Sequence, residues 1–150
     1  MIRIEKTDAG NKDFIYLVSM LDADLAVKDG EQHGFYNQYN TISNLKYVLL
    51  AYSDKQPVAC GAIKEYEPGV MEVKRMFTIP ALRGNGIATQ ILIALEEWAA
   101  ELGKEKCVLE TGKRQPDAIQ LYQKNGYTII PNYGQYAGVE NSVCFEKKLR

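Results

Sequence analysis

The stretch "LRGNGIATQIL", residues 82–92, carries the clearest chemistry in the chain: Gly84 and Gly86 flank a single asparagine and open onto an apolar helical repeat. Glycine weakens a helix, so two of them at its start require a reason. The first amides of a helix have no internal partner, and the helix dipole adds partial positive charge at that end. Such a turn is therefore a seat for an anion. Residues without a Cβ let a bulky anion reach the main chain. Asn85 is expected to tolerate unusual backbone angles, and Arg83 to bring a full positive charge able to pair with phosphate. The spacing is neither G-x-x-x-x-G-K-[ST] nor G-x-G-x-x-G after a first strand, which excludes the nucleoside-triphosphate loop and the dinucleotide fingerprint.

Other reactive side chains are few. Cys60, Cys107 and Cys144 form no CxxC pair and sit among β-formers, which fits reduced, buried thiols. The one histidine, His33, lies in a loop-like segment. A Cys–His nucleophile, with that single base in an irregular segment, is therefore not the expected chemistry, and no metal site is expected.

The elements that must hold the glycine turn follow from periodicity. "MIRIEK" alternates as a strand, and Phe14, Leu17, Val18, Leu21 and Leu25 predict a helix ending at Gly30. Strands are predicted from Lys46, from Pro57 and from Val70, with separators so short that they form an antiparallel meander. After Pro80, Ile87, Ile91, Leu95, Trp98 and Leu102 mark a helix stopped by Gly103. "KCVLET" is a strand. A second such helix starts near Pro116, turns Ala118, Leu121 and Tyr122 inward and ends at Asn125 and Gly126. "YTII" and "SVCFEKKL" close the chain as strands.

At 150 residues and 46% hydrophobic, the chain is long enough for one domain, 1–150, with its own core. A formal net charge of −1 offers no broad attraction for nucleic acid or a membrane surface, so neither is an expected partner. Charges in the first six residues interrupt any signal-peptide core, and no later run is long enough to span a bilayer. A cytoplasmic location is the expectation.

R-x-x-G-x-A, residues 83–88, follows a strand and opens a helix, and here the sequence resembles the GNAT superfamily of acyl-CoA-dependent N-acetyltransferases. "VKRMFTIPALRGNGIATQILIALEEWA" is similar to that family's motif A, and "ETGKRQPDAIQLYQKNGY" to its motif B. The resemblance implies an α+β fold with a mostly antiparallel mixed sheet of about six to seven strands and helices on both faces. It also implies acetyl-CoA as co-substrate and no metal. The backbone of Met76, Phe77 and Thr78 would pair with the pantetheine arm where the sheet splays. Arg83, Gly84, Asn85, Gly86, Ile87, Ala88 and Thr89 would hold the pyrophosphate. Gln115 stands where many members carry a cofactor-contacting Asn.

Acetyl transfer to an amine needs a neutral nitrogen, yet an alkyl ammonium with a pKa of about 10.4 is neutral in only roughly one molecule in two thousand at pH 7. A base must take the proton, and an acid must protonate or stabilise the leaving thiolate. The resemblance implies Glu72 as base, since it matches by spacing the glutamate of the family's histone acetyltransferases. A water relay, a solvent-facing strand glutamate and a salt bridge between Glu72 and Lys74 are the alternatives. Two-residue alternation would put Glu72, Lys74, Met76 and Thr78 on one face. The acid would be Tyr122, in "LYQKNGY", and a backbone N–H of residues 76–78 would meet the developing oxyanion.

The segments "EQHGFYNQYN" and "PNYGQYAGVEN" concentrate aromatic and amide groups, so His33, Tyr36, Tyr39, Tyr133 and Tyr136 are the candidates for binding a small amine acceptor. Loop packing or a homodimer contact is their other use. Neither segment is acidic enough to suggest a polyamine or a basic tail. Two other functions stay open at this point: a non-catalytic acyl-CoA-binding module, and a protein N-acetyltransferase.

Overall fold

The computed structural model describes residues 1–29 and 44–149. Strands β1 (Ile2–Thr7), β2 (Tyr47–Ser53), β3 (Gln56–Glu67) and β4 (Val70–Thr78) pair antiparallel in sequence, the last three as the predicted meander. Between β1 and β2 lies helix α1 (Lys12–Asp29), started by Asn11, whose Oδ1 accepts from the N–H groups of Asp13 at 2.8 Å and Phe14 at 3.2 Å. Helix α2 (Ile87–Glu101) is the crossover that lets β5 (Lys106–Gly112) lie parallel to β4. Helix α3 (Pro116–Lys124), β6 (Thr128–Ile130) and β7 (Ser142–Lys148) complete the chain. The sheet has seven strands in the order β1-β2-β3-β4-β5-β7-β6, so β7 inserts between β5 and β6.

Helices cover both faces. One face buries Met71, Val73, Ile91, Leu95, Leu109 and Phe145 beneath α2 and α3. The other buries Phe14, Leu17, Leu50, Cys60 and Phe77 beneath α1. The predicted stripe of α2 shifts: Ile87, Ile91, Leu92, Leu95 and Ala99 are the buried apolar positions, with Glu96 buried among them, because 3.6 residues per turn carries the apolar line past Trp98 and Leu102. Trp98 packs edge-on against Tyr47 at 5.3 Å, and Leu102, past the helix end, is exposed. All three cysteines are free and buried, as expected from their settings. Among the described residues no helix is long and apolar enough to cross a membrane.

Two irregularities of β4 shape the surface beside it. Its pairing with β5 runs only from Val70↔Lys106 to Glu72↔Val108, so residues 73–78 have no neighbour on that edge and the sheet opens there. Its pairing with β3 jumps from Ala62↔Lys74 to Cys60↔Phe77. Gly61 thus faces two residues of β4, a bulge, with Arg75 held at φ 58°. The Cys60 thiol donates to the Arg75 carbonyl across this bulge at 3.3 Å. The bulge overturns the expected alternation: Glu72 and Lys74 share a face, but Met76 turns back to the α2 side with Met71 and Val73, while Phe77 enters the α1 side.

Candidate acetyl transfer site

The turn before α2 requires both of its glycines. Gly84 and Gly86 sit at φ 84° and 79°, in the left-handed region that other L-residues avoid. A Cβ added at either would meet nothing within 4 Å, so the space in front of the turn is open. Gly86 is the N-cap and has no side chain to offer, and the first bond of the helix is Gln90 N–H to the Gly86 carbonyl. The backbone N–H groups of residues 84–89 consequently have no acceptor among the described residues. That is the donor array a diphosphate fits.

Asn85 plays a different part from the one expected. It is not among the non-glycine residues with positive φ; its Nδ2 instead donates to the carbonyls of Leu82 at 3.0 Å and Arg83 at 3.4 Å, closing the turn. Arg83 lies beside the turn, with Nε on the Thr78 carbonyl at 2.9 Å, Nη2 3.7 Å from Asp24, and its guanidinium 5.4 Å from the Phe77 ring centre. Ile87 is buried in the core, and the Thr89 hydroxyl accepts from Asn125 Nδ2 at 3.4 Å, tying the start of α2 to the end of α3.

A cavity of about 120 Å³ passes through the opening between β4 and β5. That is room for several water-sized groups. Thr111, Gly112, Gln115, Ala118 and Tyr122 line it from β5 and α3. Glu72, Lys74, Arg75 and Met76 line it from β4, with Leu21 and Leu25 of α1 facing them. Tyr122 is buried, and burial first, then the Glu110 charge, push its phenol well above the ordinary value, so it remains a proton donor throughout the neutral range.

Glu72 is also buried, with both oxygens engaged. Lys74 Nζ donates to Oε1 at 3.5 Å, so the ion pair weighed as an alternative role for Glu72 forms, and the Tyr133 hydroxyl donates to Oε2 at 2.6 Å. Burial, reinforced by Glu72, raises the Tyr133 phenol, which keeps that proton on Tyr133. Of the four tyrosines expected at the acceptor, two are described: Tyr136 reaches the cavity wall, while Tyr133 holds Glu72 and packs edge-on against Tyr136 at 5.8 Å. His33, Tyr36 and Tyr39 fall outside the described residues.

Three charged residues on the wall are not evident as site residues from the sequence. Glu110 faces the cavity from β5, and the Ser142 hydroxyl donates to its Oε2 at 2.7 Å. Lys74 reads in the sequence only as a partner for Glu72, and Arg75 carries no signal at all. Strand alternation assigns Arg75 to the opposite face, and only the bulge brings it here. Among the described residues no group of His, Cys, Asp and Glu could hold a metal ion.

A sheet opened beside a strand that runs into a bare-amide turn defines the class: an α+β N-acyltransferase fold of the GNAT type. The family model described as Acetyltransferase (GNAT) family matches residues 15–127, and the chain belongs to that family. An IAA acetyltransferase of Azospirillum brasilense is 38% identical over 102 residues, 67% of each chain. A Klebsiella pneumoniae structure assigned to the acyl-CoA N-acyltransferases superposes with a TM-score of 0.85 at 31% identity, covering 100% of this chain and 99% of that one. A Thermoplasma acidophilum N-acetyltransferase solved with coenzyme A agrees in fold, with a TM-score of 0.73 at 19% identity over 99% of both chains.

Proposed function

We propose that the chain is a single catalytic domain that moves an acetyl group from acetyl-CoA to the primary amine of a small-molecule or amino-acid-like acceptor, both held in one ternary complex. The observation that carries this reading is continuity. The unpaired edge of β4, residues 73–78, leads through the single turn Pro80–Leu82 to the bare N–H groups of residues 84–89. One ligand with an amide-bearing arm and a diphosphate would satisfy both. The Thermoplasma relative crystallised with coenzyme A supports the donor, and the Azospirillum IAA acetyltransferase supports the transferase class.

Acetyl-CoA supplies a thioester carbonyl for the acceptor nitrogen to attack. In this reading residues 76–78 bind its arm and offer an N–H to the carbonyl oxygen, and Arg83 to Thr89 hold its phosphates, with Gln115 at the mouth. Glu72 takes the ammonium proton, and Tyr122 gives one to the departing sulfur. A water relaying the proton to Glu72 is the second form of this step. It is favoured by the two donors, Lys74 and Tyr133, already on the carboxylate. Free thiols at all three cysteines fit a reducing compartment, and we place the protein in the cytoplasm.

The test is thiol release from acetyl-CoA across a panel of amines, beside calorimetry with coenzyme A. Acceptor-dependent thiol is expected. Binding of coenzyme A without it would leave a non-catalytic acyl-CoA-binding module, and the absence of binding would remove both readings.

A further inference from the structure

The wall of the cavity carries four charged side chains, two of each sign: Glu72 and Glu110, Lys74 and Arg75. The two cations are consecutive residues, and in a regular strand they would point to opposite faces. The bulge at Arg75 is what brings them together, at the cost of a left-handed backbone on a residue with a long side chain. Backbone strain of this kind persists where the surroundings over-determine it, and the Cys60 thiol and Asp22 both hold Arg75 in place.

Arg75 is an unusual guanidinium to find there. Its side chain is 2% exposed, yet its carboxylate partner, Asp22 on α1, meets only Nη2, at 2.5 Å, and is itself 39% exposed. Its Nε is buried with no acceptor among the described residues. A buried guanidinium holds its charge at lowest cost when its donors are matched by a carboxylate, which its planar fork fits two-pronged.

Resting on the transferase reading, we propose that the acceptor is a zwitterion, an amine that carries a carboxylate on the same small skeleton. Its ammonium sits toward Glu72 and Glu110, on the two strands that border the opening, where transfer takes place. Its carboxylate sits on Arg75 and Lys74, and its apolar part lies against Leu21 and Leu25. The lining charges sum to zero, so a neutral zwitterion enters with both of its charges met. A plain ammonium would leave the Arg75 Nε unanswered.

The experiment is a matched panel with acetyl-CoA as donor: amino acids of several side chains, their primary amides, and the amines that remain when the carboxyl is removed, with thiol release as readout. The acid should exceed both of its partners in kcat/KM by about tenfold or more, the factor that one charge-assisted hydrogen bond carries. In Arg75→Gln that ratio should fall toward one, and Arg75→Lys should recover part of it. Circular dichroism checks that each variant folds; if Arg75→Gln does not, the wild-type ratio and the Lys variant decide. Amides or decarboxylated amines that react as well as the acids in the wild type overturn the proposal and leave the transferase reading standing. No thiol release with any amine, charged or plain, removes both.

Discussion

Gly86→Ala separates two roles of the glycine turn that the folded chain superimposes. At φ 79° and ψ 7° an alanine occupies the left-handed region, which costs about 1–2 kcal/mol. Its methyl group meets nothing within 4 Å, so no steric cost is added in the free protein. For a domain of this size each kcal/mol lowers Tm by roughly 2–4 °C. The free variant should therefore melt a few degrees lower, with its fold intact by circular dichroism. Coenzyme A should suffer far more, because the same methyl projects into the space the diphosphate must use. Pushing the phosphates off one or two of the bare N–H groups, each a charge-assisted bond of about 1.5–3 kcal/mol, weakens Kd by at least tenfold. Scanning calorimetry gives the first quantity and isothermal titration with coenzyme A the second. A variant that loses a few degrees of Tm yet binds coenzyme A with wild-type affinity would refute the anion seat and reduce Gly86 to a turn device.

Three further outcomes rest on the same geometry. Tyr122→Phe should lower kcat at least tenfold while leaving the Kd for coenzyme A within about twofold, since the ring that packs on Tyr127 and Phe145 is retained; an unchanged kcat removes Tyr122 as the acid. Gly61→Ala places a methyl 2.6 Å from Met76 Sδ and 2.8 Å from Ile91 Cγ2, and overpacking of this kind costs about 1–3 kcal/mol, read as a lower urea midpoint; an unchanged midpoint means α2 moves away freely. Burial first of all pushes the Cys60 and Cys107 thiols up to about 12 and Cys144 to about 11, against about 9 when unfolded. Their contribution to stability is whole below pH 9 and is lost as the pH rises toward 12, so the urea midpoint should fall between pH 8 and pH 10, and a thiol alkylated in the native state at pH 8 as fast as free cysteine would contradict it.

The parts of this molecule that the sequence states openly are those whose physics is local. The meander is written in short separators between β-rich runs, and α3 in Pro116 at one end and Gly126 at the other. The bare-amide turn is written in two glycines at a helix start, and both take a positive φ in the structure. What stays hidden depends on partners distant in the chain. Nothing near β7 announces that it will insert between β5 and β6, because that choice is made by which apolar faces meet. The link from Tyr133 to Glu72 joins positions 61 residues apart. Glu110 is a lone glutamate in a strand, and only its place across the opening gives it a part in the site.

The bulge is the most instructive of these hidden features. Its signals, where they exist, are glycine or proline in the bulged strand, and "VMEVKRMFTI" has neither. The glycine that makes it possible is Gly61, on the opposite strand, where any Cβ would collide with Met76, Ile91 and Leu95. For β4 alone, strict alternation is the right rule and yields the wrong face for Met76 and Arg75. Setting Gly61 against β4 in register exposes the extra residue, and with it the reason that Lys74 and Arg75 stand side by side at the cavity. The placing of both cations on the cavity wall is therefore encoded in a pairing between two strands rather than in either strand's own pattern.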